Sequence, residues 1–116
     1  MLPELKFNDK MMQALIDGRK TVTRRKEPKD ICGGLYVAAI CSTRPDRIML
    51  KCVDSYPQKL SDMTEEDARK EGFESLEEFN QEISEIYGED YLKSDPSMWV
   101  YEFVVIGKPA VSRNTN

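Results

Sequence analysis

The feature that most constrains this chain is a pair of back-to-back helical patterns set between strand-like stretches. "TEEDARKEGF" places Thr64 three residues before Asp67, the spacing of an acidic capping box, and Gly72 can end that helix. "SLEEFNQEISEIYG" repeats the design, with Ser75 and Glu78 as its box and Gly88 as its stop. Leu76, Phe79, Ile83, Ile86 and Tyr87 make one apolar stripe along it. The strongest strand pattern, "MWVYEFVVI" at 98–106, follows only after both helices.

Those earlier stretches are readable too. In residues 8–18, Met11 and Leu15 continue the i+4 spacing begun by Phe7, with Met12 and Ile16 beside them. This predicts a short amphipathic helix, with Asn8 as N-cap and Gly18 as the residue past its end. "TVTRR" alternates and is rich in β-formers. "LYVAAIC" (35–41) and "IMLKCVDSY" (48–56) read as hairpin partners across the turn "STRPDR". "PQKLSDM" reads as a connector and "EDYLKSDPS" as a loop. Helices inserted among strands without regular βαβ alternation predict an α+β fold, built on a small, mostly antiparallel barrel or curled sheet. The 116 residues suffice for one domain. It is expected over 1–106, with 107–116 as a flexible C-terminal tail.

Composition narrows the chemistry. The sequence contains no histidine, which removes Ser-His-Asp and Cys-His catalysis and His-ligated zinc. Acid–base work must then fall to Asp, Glu, Lys, Tyr or Cys. No DxD-type cluster supports a carboxylate metal site, so neither metal nor cofactor is expected. Cys32, Cys41 and Cys52 are odd in number and widely spaced, which predicts reduced thiols rather than a disulfide framework. No apolar run is long enough for a membrane span and the N-terminus lacks a signal-peptide pattern, so a cytoplasmic protein without membrane contact is expected. The net charge of −4 is unevenly distributed. Residues 1–59 hold 12 basic and 7 acidic side chains, and residues 60–95 hold 3 and 13. The basic part suits a local anionic or polar ligand, whereas the acidic total disfavours long nucleic acid.

The densest basic stretch is "GRKTVTRRK". On a regular strand Val22 points one way, and Thr21, Thr23 and Arg25 the other. A half-buried strand with a solvated polar face satisfies that pattern. So does a nucleophile: a threonine hydroxyl attacks only when a base takes its proton, and a lysine among arginines is pushed toward the neutral form that can do so. Lys20 falls at the turn after Gly18, and spacing leaves open whether it meets Thr23. Glu71 at the end of a helix is unfavourable against the helix dipole. Service as a pocket carboxylate would explain the position. Trp99, Tyr101 and Phe103 alternate on the last strand. Core packing accounts for them, and stacking on a nucleobase is the functional alternative for Trp99.

Together, the helix running into "GRKTVTRR", the glycine turn before "LYVAAI", "LSDMTEEDARKEGF" and "WVYEF" resemble the ASCH domains of the PUA-like fold over residues 5–106. The family motif G-x-K-x-x-E-x-R is matched at Gly18, Lys20 and Arg25, with Thr23 in the acidic position. Gly33-Gly34 stand where the family often has Gly-Asp. A subgroup of small bacterial ASCH proteins that also carries Thr there hydrolyses N(4)-acetylcytidine to cytidine and acetate. The resemblance implies a PUA-like mixed β-barrel with flanking α-helices. It also implies Thr23 as nucleophile, Lys20 as its activator and Glu71 as acid or base for the leaving amine. Arg25 and Arg24 would hold substrate or the oxyanion. A small nucleoside is the expected partner. The competing expectation is a non-catalytic module that binds short single-stranded RNA or a modified base in the same cleft. A structural, partner-binding protein is a third.

Overall fold

The computed structural model describes residues 2–31 and 36–107. In chain order the elements are β1 (Glu4–Lys6), α1 (Asp9–Asp17), β2 (Val22–Arg25), β3 (Tyr36–Cys41) and β4 (Arg44–Lys59). A single 3-10 turn (Leu60–Asp62) then leads to α2 (Glu65–Lys70), α3 (Leu76–Tyr87), α4 (Glu89–Lys93) and β5 (Ser97–Gly107). The five strands form one curled sheet in the order β1-β3-β4-β5-β2. The β1–β3 pair is parallel, and the pairs β3–β4, β4–β5 and β5–β2 are antiparallel. This is the expected α+β half-barrel flanked by helices.

Local sequence accounts for most element ends. The Asn8 side chain accepts a hydrogen bond from the Met11 amide at 2.8 Å, and Gly18 closes α1 at φ +81°. Such a left-handed residue is inexpensive only for glycine. The α2 box is complete: Asp67 N–H donates to Thr64 Oγ1 and Thr64 N–H to the Asp67 carboxylate, each at 3.1 Å. The α3 box is half-formed. Ser75 Oγ accepts from the Glu78 amide, but the Glu78 carboxylate accepts from Glu74 N–H rather than from Ser75.

Four expectations need correction. The strand expected over 48–56 is the middle of a longer one: β4 absorbs the last four residues of the expected turn "STRPDR", leaving Ser42 and Thr43 as the turn, and part of the connector "PQKLSDM". It pairs with β3 along its first half and with β5 along its second, bending at register shifts between Met49 and Leu50 and between Cys52 and Asp54. Extra residues in one strand raise local twist, which curls the sheet. The expected loop "EDYLKSDPS" contains α4. Strand β1 went unseen because three residues carry too little alternation to register. Finally, Cys41 is a free buried thiol but Cys52 is disulfide-bonded. Spacing along the chain says little about proximity in space. The Gly33-Gly34 turn and residues 108–116 of the expected tail lie outside the described residues.

The core lies in the concave face, with Leu5, Met12, Leu15, Ile48, Leu50 and Tyr101 among its buried side chains. Strands β1 and β2 are the two edges of the sheet, and α1 connects them directly. Arg25 ties those edges together: its Nη2 donates to the Lys6 carbonyl at 3.0 Å, and its guanidinium lies 4.9 Å from the centroid of the Phe7 ring. Side-chain contacts thus supplement the backbone ladder where the barrel would close.

Candidate active site

The turn between α1 and β2 positions the first functional residue. The amides of Arg19 and Lys20 both donate to the Ala14 carbonyl, so the chain folds back over the end of α1. Thr21 then fastens the turn on both sides. Its amide donates to the Lys70 carbonyl at 2.8 Å, and its carbonyl accepts from the Phe103 amide at 3.1 Å. Lys20 is thereby held beneath the end of α2, where Glu71 stands.

Gly72 permits this approach. It has φ +102°, and a Cβ there would lie 3.1 Å from the Ala14 Cβ and 3.5 Å from the Lys20 Cβ. A side chain would meet both the backbone penalty and the crowding.

The result is a buried ionic cluster. Lys20 Nζ donates to Glu71 Oε1 at 3.0 Å and to the Glu71 carbonyl at 2.9 Å. Arg24 Nη1 donates to Glu71 Oε2 at 2.8 Å, and Arg24 Nη2 to the Gln58 amide oxygen at 2.5 Å. Lys20 is 2% exposed and Glu71 4%. Both carboxylate oxygens of Glu71 therefore face a cation, which offsets the burial of charge. The Arg24 Nε is buried without a hydrogen-bond partner. Burial pushes the Lys20 ammonium below its ordinary value, and the charges of Arg25 and Arg24 push the same way; Glu71 opposes them.

A cavity of about 200 Å³ opens onto this cluster. It is smaller than the roughly 300–1,000 Å³ of common ligand pockets and suits a small ligand rather than a long polymer. Lys20, Thr23, Arg24, Arg25 and Glu71 all line it, so five of the six site residues picked from sequence meet in one place. Thr23 is 4% exposed. Among the described residues its hydroxyl makes no hydrogen bond, and the Lys20 amine is directed to Glu71. The sixth residue, Trp99, does not line the cavity. It pairs with Arg25 across the β2–β5 ladder and packs half-buried against the core, as Tyr101 and Phe103 do more deeply. The solvated polar face that strand spacing allowed for β2 is also not formed, since Val22, Thr23 and Arg24 are all buried.

Sequence reasoning missed the opposite wall. Phe79, Glu82, Ile83, Ile86 and Tyr87 of α3 line the cavity, with Phe7, Met11 and Phe73 near the first helix. The α3 stripe read as core is thus partly the wall of a cleft. One signal was present: Glu82 falls at i+3 from Phe79, inside the apolar stripe. Among the described residues no group of three or more His, Cys, Asp or Glu side chains could hold a metal ion, and no helix is long and apolar enough to cross a membrane.

No protein-family model matches the chain, and no curated protein matches it. Solved structures do. A protein from Enterococcus faecalis V583, of the family model DUF984, superposes with a TM-score of 0.73 at 17% identity, covering 97% of this chain and 80% of its own. An ASCH domain from Lactobacillus crispatus JV V101 gives 0.66 at 12% identity, covering 82% and 69%. The S128A mutant of ZmASCH from Zymomonas mobilis gives 0.57 at 14%, covering 95% and 74%. At these identities the likeness concerns the fold: the chain has the ASCH-domain, PUA-like fold.

Proposed function

We propose that this ASCH-fold chain is a small amidohydrolase that removes the acetyl group from N(4)-acetylcytidine or a related acylated cytosine nucleoside. The observation that carries the reading is the convergence of Lys20, Thr23 and Glu71 on one small cavity. These are the three positions for which the sequence resemblance implies a catalytic role.

Hydrogen-bond capacity supports Lys20 as the base. An ammonium has three N–H donors, whereas a neutral amine has two and a lone pair. Two N–H groups are matched by the carbonyl and Oε1 of Glu71. Lys20 rests as the ammonium paired with Glu71, and once it has released its third proton, which burial eases, its lone pair is open to the Thr23 proton. In the proposed reaction Lys20 takes that proton and Thr23 Oγ1 bonds to the acetyl carbon. The negative charge on the carbonyl oxygen is held by arginine donors, for which the unpartnered Arg24 Nε is available. Collapse breaks the bond from the acetyl carbon to N4. The leaving amine receives the proton from Lys20, and cytidine departs. Water then attacks the acetyl-threonine ester through the same base, acetate leaves, and Thr23 regains its proton. The resemblance gives Glu71 the acid–base step at the amine. With both oxygens engaged by cations, its contribution is to hold Lys20 in place and balance its charge.

Because Thr23 and Lys20 share the cavity without a hydrogen bond, a second reading has a specific basis: the same cluster as a binding site for a modified base or short single-stranded RNA, without turnover. Intact-mass measurement after rapid quench with N(4)-acetylcytidine separates the two. The amidase reading expects one acetyl group on the wild-type chain, located at Thr23, and none on Thr23→Ala. Ligand binding with no adduct and no product favours the binding module.

A further inference from the structure

The cavity has a graded depth. Lys20, Thr23 and Glu71 form its buried floor, while Glu82 is half-buried and Ile86 is 59% exposed on the opposite wall. A ligand whose acetamide reaches Thr23 shares the cavity with α3, whose Glu82 and Ile86 lie at its more exposed part. Along that helix the lining residues are Phe79, Glu82, Ile83, Ile86 and Tyr87, so Glu82 is the one charged side chain that α3 contributes to the wall. Among the described residues the Glu82 carboxylate accepts no hydrogen bond and meets no cation. A half-buried carboxylate without a partner is unfavourable. It becomes favourable when a ligand supplies donors.

Resting on the proposed amidase reading, we infer that Glu82 is a specificity residue that accepts hydrogen bonds from the ribose hydroxyls of the substrate. The acetylated base occupies the floor and the sugar lies at the rim. A carboxylate suits this task because it is acceptor-only and can receive two neighbouring hydroxyls, as acidic residues do for ribose in dinucleotide sites. The substrate class is thus the ribonucleoside rather than the free base. The apolar neighbours Phe79 and Ile83 exclude water, which strengthens the contact.

The test compares wild type, Glu82→Ala and Glu82→Gln with N(4)-acetylcytidine and N(4)-acetylcytosine as substrates. Calorimetric binding of cytidine and cytosine forms a second arm. Wild type should favour the ribonucleoside in kcat/KM by about tenfold to a hundredfold, the range for hydrogen bonds to a charged group. Glu82→Ala should lose that preference, its kcat/KM falling at least about tenfold more on the ribonucleoside than on the free base, and Glu82→Gln should fall between. An equal loss on both substrates, or an unchanged preference, overturns the inference and leaves the amidase reading intact. If no variant turns over either substrate, the amidase reading falls. The calorimetric arm then decides the inference: ribose-dependent binding that Glu82→Ala abolishes upholds it, and cytidine binding no tighter than cytosine overturns it.

Discussion

At the scale of single residues, the arrangement separates what Thr23, Lys20 and Glu71 each contribute. Thr23→Ala removes a hydroxyl that makes no hydrogen bond among the described residues, together with one buried methyl, so the thermal midpoint should fall by no more than a few degrees while turnover disappears. Glu71→Ala leaves Lys20 and Arg24 buried beside each other without their shared anion. Breaking such a cluster should destabilise the fold by about 3–5 kcal/mol, measured by urea unfolding. A loss under about 1 kcal/mol would show that the cluster is not the buried brace described here.

Lys20 gives the pH prediction. Its folded pKa lies below the ordinary 10.5, so the unfolded chain binds the extra proton first as pH falls from that value. Its contribution to stability is therefore fully present above 10.5 and declines as pH falls toward the folded pKa. The neutral amine is also the form that activates Thr23, so the rising limb of kcat/KM should lie below pH 10.5 and vanish in Lys20→Met. Of these residues, Lys20, Thr23 and Arg25 were legible because a motif spacing marks them. The Lys20–Glu71 contact was not, since it joins positions 51 apart in sequence through a turn whose geometry no pattern encodes.

Among the elements, the turn–helix junction matters most. Gly72→Ala would force a Cβ into a 3.1 Å approach at a backbone angle suited to glycine. A loss of about 1–3 kcal/mol is expected, with turnover falling further because Glu71 shifts over Lys20. Wild-type-like melting and activity would contradict the close packing of α2 on α1. The expected helices and hairpin were readable because caps and periodicity are local signals: Asn8, Gly18, Thr64 and Asp67 act where the pattern put them. The reach of β4 and the presence of β1 were not readable, because pairing partners rather than local sequence set them. The α3 stripe shows a different limit. Apolar periodicity identifies a face that avoids water, and a ligand wall and a core satisfy it equally.

For the whole molecule, closure of the sheet and the distribution of charge both bear on the ligand. Arg25→Met should remove the tie between the two sheet edges and speed amide exchange at Glu4–Phe7 more than in the centre of β4. The acidic helical half, set against a small basic cleft, argues for a small ligand. At about 0.15 M salt, long RNA should bind negligibly, because few phosphates can be neutralised at once. The central claim, that this cleft hydrolyses an acylated cytosine nucleoside through Thr23, is met most directly by incubating the wild-type protein and Thr23→Ala with N(4)-acetylcytidine and following cytidine and acetate together. The account predicts equimolar release by wild type and none by the variant. No release by wild type at high enzyme concentration, or equal release by both, would contradict it.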